Sequence, residues 1–111
     1  MELIETSTFT RQIAALISDD EYREFQFRLA ANPGLGALIR GGGGIRKIRL
    51  ALGSRGRRGG ARVIYYWAVQ EDLIVLLYAY AKNVSADLTA RQVAQLAKAV
   101  KEEFSDEAKD V

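Results

Sequence analysis

Residues 73–81 read LIVLLYAYA, nine consecutive positions without a charged or amide side chain. A helix needs roughly 20 apolar residues to cross a bilayer, so this run is too short to be a span. As a strand it is apolar on both faces, the pattern of a strand buried centrally in a sheet. Its neighbours fit that reading. Val63, Tyr65, Trp67 and Val69 share one face of a second strand, and Ile64, Tyr66 and Ala68 share the other. Ile45, Ile48, Leu50 and Leu52 give an imperfect alternation in a third. Gln70-Glu71-Asp72 is a tight polar turn, and residues 53–60 form a basic, glycine-rich connection. Three strands joined in order make an antiparallel meander.

The flanks read as helices. Residues 2–5 suit a short first strand, and Thr6-Ser7-Thr8 offers hydroxyl caps for a helix carrying Phe9, Ile13, Leu16 and Ile17. Ser18 and Glu21 have the spacing of a capping box, in which each side chain satisfies the other's free backbone donor. The helix they open bears Tyr22, Phe25 and Leu29 on one face and stops at Asn32-Pro33-Gly34. Ala37-Leu38-Ile39 makes only a brief apolar contact. Thr89 and Gln92 repeat the capping pattern before a last helix with Val93, Leu96, Ala97, Val100 and Phe104 as its apolar stripe. The expectation is an α+β domain, β-α-α-β-β-β-α, its antiparallel meander packed against helices. A chain of 111 residues supports one modest core. Residues 1–104 are therefore a single domain, and residues 105–111 a polar tail that frays.

Charge is sorted along this frame. The formal net charge is +2, yet between Phe25 and Gln70 there are nine basic residues and no acidic one. The rest of the chain sets seven basic residues against fourteen acidic ones. All ten glycines lie between Gly34 and Gly60. The middle is a basic, glycine-rich module in an acidic scaffold, and such a block faces a polyanion or solvent. There is no Cys, which excludes disulfides and thiolate-bound metals, and no His, the commonest general base and metal ligand. The first residues, MELIETSTF, lack the basic start and apolar centre of a signal peptide. A cytoplasmic protein with no cofactor, no metal and no membrane partner is expected.

Lys47 and Arg49 are two apart on one strand, so their side chains leave the same face, opposite Ile48 and Leu50. Arg62 opens the next strand, and Lys82 follows the apolar one. In a meander these four can converge on one concave surface. The plain alternative is a solvated strand face, the usual meaning of alternating charge. Arg55, Arg57 and Arg58 lie in the glycine-rich loop, where sequence-blind contact with a nucleic-acid backbone fits better than chemistry. The tyrosines 65, 66, 78 and 80 are more often core than base-stacking residues. Gly41-Gly42-Gly43-Gly44 lets the chain turn into its strand and lacks the Lys-Ser/Thr of a P-loop.

Three blocks in order carry a resemblance: Gly44-Ile45-Arg46-Lys47-Ile48-Arg49, then Arg57-Arg58-Gly59-Gly60-Ala61-Arg62-Val63-Ile64-Tyr65-Tyr66, then Tyr80-Ala81-Lys82-Asn83 with Leu88-Thr89. Together they resemble the RelE/HigB-type toxins of bacterial toxin–antitoxin systems, most closely the HigB branch. The resemblance spans nearly the whole chain. It implies a RelE-like fold and a metal-independent endoribonuclease, an mRNA interferase that acts in the A site of the 30S ribosomal subunit and so blocks translation. It also implies a cognate antitoxin, of a helix-turn-helix, HigA-like kind. The reaction so implied is attack of an mRNA 2′-hydroxyl on the adjacent phosphate, leaving a 2′,3′-cyclic phosphate and a 5′-hydroxyl.

That chemistry needs a base, charge on the phosphorane and a proton for the leaving oxygen. Arginine forks hold phosphate, and a lysine crowded by other cations can act as base or acid. The resemblance matches Lys47, Arg49, Arg62 and Lys82 to catalytic basic positions. It suggests Lys47 as base, Arg62 with Arg49 on the phosphate, and Lys82 on the leaving group or orienting RNA. Arg46, Arg55, Arg57, Arg58 and Asn83 become contacts to RNA or ribosome. Well-known members carry an Arg and a Tyr where this chain has Asn83 and Thr89, so the base is not fixed by the resemblance. The rivals are a ParE-like gyrase inhibitor, a non-catalytic RNA-binding domain, and a relative that has lost activity and keeps only its antitoxin interface.

Overall fold

A computed structural model describes residues 1–50, 60–82 and 88–109, with side chains to 103. Strand β1 (Glu2–Glu5) leads into helices α1 (Ser7–Leu16) and α2 (Asp19–Ala31). Strands β2 (Ala37–Leu38), β3 (Ile45–Leu50), β4 (Ala61–Ala68) and β5 (Leu73–Ala81) follow, and helix α3 (Ala90–Lys109) comes last. The five strands form one sheet in the order β1-β5-β4-β3-β2. β2 to β5 pair antiparallel, as the meander requires. β1 joins the outer side of β5 in parallel, with Glu2 opposite Leu73 and Glu5 opposite Leu76. The α+β class and the element order hold. The structure adds β2, at residues whose sequence suggests only an apolar contact, and the parallel sense of β1.

The helix starts are local chemistry. Thr6 Oγ1 accepts from Phe9 N at 3.1 Å and caps α1. At α2 the capping box is complete: Ser18 Oγ accepts from Glu21 N at 3.2 Å, and Ser18 N donates to Glu21 Oε1 at 3.0 Å. Thr89 and Gln92 make the same reciprocal pair before α3, at 3.1 and 2.9 Å. Each box satisfies two backbone donors that a helix start leaves free.

Both faces of the sheet are covered. Under α1 and α2, Phe9, Ile13, Phe25 and Leu29 pack on Ile48, Leu50, Val63, Tyr65, Ile74 and Leu76. On the other face Ile45, Ile64, Leu77 and Tyr80 meet Val100 of α3, with Val93 and Leu96 half-buried beside it. Burial on both sides explains the imperfect alternation of β3. Ile45 serves the α3 side, while Ile48 and Leu50 serve the α1–α2 side. It also keeps β5 apolar throughout. Val69, by contrast, leaves the face of Val63 and Tyr65 and lies 63% exposed in the turn to β5. Asp72 N closes that turn on Val69 O at 3.2 Å, with Asp72 at φ 53°, a conformation Asp tolerates better than most residues. At the entry to β3, Gly44 has φ +106°, and a Cβ there would come within 3.0 Å of the Tyr66 ring. Only glycine fits both constraints.

Candidate nucleic-acid interface

The cations of β3 and β4 follow from strand register. Arg49 stands opposite Arg62, and Lys47 opposite Ile64. Across the next strand, Arg62 stands opposite Tyr80 and Ile64 opposite Tyr78. Residues facing each other in an antiparallel pair share a sheet face, with Cβ atoms roughly 5 Å apart. Ile64 and Tyr80 belong to the α3-side core, so Lys47, Arg49 and Arg62 rise from that side. Two rows result, Arg49–Arg62–Tyr80 and Lys47–Ile64–Tyr78. The rings of Tyr78 and Tyr80 lie 6.0 Å apart at 48° and close the far end. Lys82 lies just beyond Tyr80, its N–H donating to Gly60 O at 3.1 Å. The sheet thus gathers Lys47, Arg49, Arg62 and Lys82 at the end of β3–β5 that borders residues 51–59.

Exposure differs along the rows. Arg49 and Lys82 are exposed, whereas Lys47 and Arg62 are half-buried. Arg62 Nη1 donates to Ala61 O at 3.2 Å, which draws its guanidinium back along the strand. A groove of about 800 Å³ lies between α3 and the β4–β5 turn, bordered by Gly43, Tyr66, Trp67 and Lys101. None of the four cations lines it.

Arg46 is set apart from these cations. It stands opposite Tyr65, on the α1–α2 side. Its Nη1 donates to Gly36 O at 2.8 Å and Gly34 O at 3.3 Å. Tyr65 pins the same loop: its hydroxyl donates to Pro33 O at 2.7 Å and accepts from Gly36 N at 2.8 Å. Burial raises the Tyr65 phenol above its ordinary range, against smaller opposing effects from Gly36 and Arg46. Arg46 and Tyr65 therefore hold a loop, and the structure does not bring Arg46 to the basic corner. Arg55, Arg57, Arg58 and Asn83 lie outside the described residues.

Among the described residues no group of three or more His, Cys, Asp or Glu is placed to hold a metal ion. Nor is any helix among them long and apolar enough to cross a membrane. The sequence reading did not single out Thr6 and Gln12 as supports of β5. Thr6 Oγ1 donates to Leu77 O at 3.0 Å, and Gln12 Oε1 accepts from Ala79 N at 2.8 Å. Thr6 is legible as a helix cap, but nothing local in the sequence marks Gln12.

The fold is a three-layer α+β domain in which β3 and β4 carry cations on the face turned toward α3. Residues 36–111 match the family model described as the RelE toxin of the RelE/RelB toxin–antitoxin system. That match covers more than half of the chain, and the chain belongs to the RelE toxin family. It is a toxin of a toxin–antitoxin system, and membership implies a cognate antitoxin as its partner.

Proposed function

We propose that the chain is a ribosome-dependent mRNA endonuclease that works in the A site by metal-independent transesterification. The observation that carries this reading is the directly opposed pair Arg49 and Arg62, with Lys47 one row away on the same face. Two guanidiniums side by side suit the spread charge of a pentacoordinate phosphorane. Lys47 takes the proton of the 2′-hydroxyl as the O2′–P bond forms. Arg49 and Arg62 hold the phosphoryl oxygens. The P–O5′ bond then breaks, and Lys82 supplies the proton to the leaving oxygen or orients the strand. The products are a 2′,3′-cyclic phosphate and a 5′-hydroxyl, with no water consumed. Arg55, Arg57, Arg58 and Asn83 serve as backbone contacts to RNA, whose strength falls with salt. In this reading the protein acts in the cytoplasm, is of the HigB branch, and is held inactive by a HigA-like helix-turn-helix antitoxin.

The test is primer extension on a reporter mRNA in a purified translation system, with and without ribosomes, comparing wild type with Arg62→Ala. Cuts that require ribosomes and vanish in the variant support the reading. Intact mRNA in every lane sinks it, and leaves gyrase inhibition or RNA binding without chemistry.

A further inference from the structure

We propose that Gln12, assisted by Thr6, is a positioning residue for the basic corner and acts by holding a β-bulge in β5. Its consequence for cleavage rests on the ribonuclease reading above; its structural part does not. The bulge is visible in the register. Ile64 stands opposite Tyr78 while the next residue, Tyr65, stands opposite Leu76, so Leu77 is an extra residue in β5. Alternate residues of a regular strand share a face. Ile74 and Leu76 pack under α1 and α2. Strict alternation would send Tyr78, Tyr80 and Lys82 to that same side. Instead Leu77 and Tyr78 both join the α3-side core, Ala79 returns to the α1–α2 core, and Tyr80 faces Arg62. The bulge reverses the phase of the end of the strand. Both rows of the basic corner owe their tyrosine to it.

The residues after the bulge suit this reversal. Ala79, the position turned toward α1, is small, while the large tyrosines 78 and 80 take the other side. The bulge also lies where β5 lacks a strand partner on its outer edge. β1 stops at Glu5, opposite Leu76. Beyond that point the ladder is continued by α1. Thr6 N donates to Leu76 O at 3.1 Å, Thr6 Oγ1 to Leu77 O at 3.0 Å, and Gln12 Oε1 accepts from Ala79 N at 2.8 Å. Ala79 is 2% exposed, so its N–H without Gln12 would be a backbone donor buried and unsatisfied. A bulge re-aims side chains, and here its geometry is fixed from a helix 67 residues earlier in the chain.

The experiment compares wild type, Gln12→Ala and Gln12→Glu, the last of which retains an oxygen acceptor for Ala79 N–H. Contacts between the Tyr80 ring and the Ile64 and Arg62 side chains are read by nuclear Overhauser effects in the free protein. Ribosome-dependent cleavage is measured in parallel, with kcat and KM separated. Gln12→Ala is expected to remain folded and lose the Tyr80 contacts. Its kcat should fall about tenfold or more with KM within about twofold, because the site is misplaced rather than removed. Gln12→Glu should restore both readouts. Unchanged Tyr80 contacts in Gln12→Ala overturn the proposal, as does unchanged kcat in an active enzyme or failure of Gln12→Glu to rescue. Should Gln12→Ala unfold, Gln12→Met takes its place; unfolding of both overturns the positioning role in favour of a purely structural one. Loss of Tyr80 contacts in a chain whose wild type cuts no RNA upholds the bulge assignment and rejects the ribonuclease reading instead.

Discussion

Arg49 and Arg62 face each other across β3 and β4, like charges at directly opposed positions of one sheet face. Like charges directly opposed in a sheet are unfavourable, and β3, β4 and β5 carry no carboxylate of their own. In the ribonuclease reading proposed above, the RNA phosphate offsets this repulsion. Replacing Arg49 by Gln should therefore stabilise the free protein, by roughly 0.5 kcal/mol. Urea denaturation at low salt checks this, and the gain should shrink at high salt as screening replaces the lost repulsion. The same variant should cleave less, which would separate the interests of fold and function at one residue.

Arg62→Ala removes the other half of the pair. The variant should keep its circular dichroism spectrum, because Arg62 is half-buried and belongs to neither hydrophobic cluster. Cleavage should fall about 100- to 1000-fold, the range seen when one donor to a developing oxyanion is removed. Primer extension with purified ribosomes measures it. An unfolded variant would move Arg62 from the chemistry to the scaffold.

Tyr65→Phe tests the loop that turns α2 into the sheet. The change deletes bonds to Pro33 O and Gly36 N at a fully buried residue. Leaving the Gly36 donor unsatisfied should cost about 1–3 kcal/mol. Gly36→Ala should also destabilise, since its Cβ would lie 2.8 Å from the Tyr65 ring. Equilibrium denaturation of both variants checks the pair, and a silent Gly36→Ala would refute the close approach.

Tyr22 gives a pH dependence with a definite sign. Burial, and then its 2.6 Å hydrogen bond to Glu5, raise the phenol above the ordinary value of 10.0. The neutral phenol is thus favoured in the folded state. Below pH 10 both states keep the proton and the stabilisation is fully present. As pH rises above 10 the unfolded chain releases its proton first, and stability falls. Tyr22→Phe should be less stable than wild type at pH 8 by about 1 kcal/mol. The gap should close as pH climbs past 10. Denaturation curves from pH 8 to 11 measure this; a constant gap would mean that the phenol titrates alike in both states.

Much of the frame was legible because its signals are local. Ser18 with Glu21 and Thr89 with Gln92 announce helix starts through groups three residues apart, and the structure contains both boxes. The β3–β5 meander followed from apolar runs separated by turn residues. Lys47 and Arg49 were legible as sharing a face because a regular strand has a period of two. β1 was legible as a strand but not as the parallel partner of β5, since pairing across some 70 residues leaves no local mark.

What the sequence determined by itself is therefore the set of elements, their order, and the concentration of positive charge between α2 and β5. Propensity, capping and periodicity act over a few residues and need no fold to be read. What only the tertiary structure decided is which side of the sheet each group serves. Arg46 and Lys47 are neighbours in the chain, yet one ties down a loop beneath α2 and the other stands on the opposite face. With both faces buried, apolar pattern alone assigns neither. Tyr80 meets Arg62 because Leu77 bulges, and the bulge is held by Thr6 and Gln12, 71 and 67 residues from their partners. A strand's phase beyond such a point is set by long-range hydrogen bonds, and those exist only once the chain has folded.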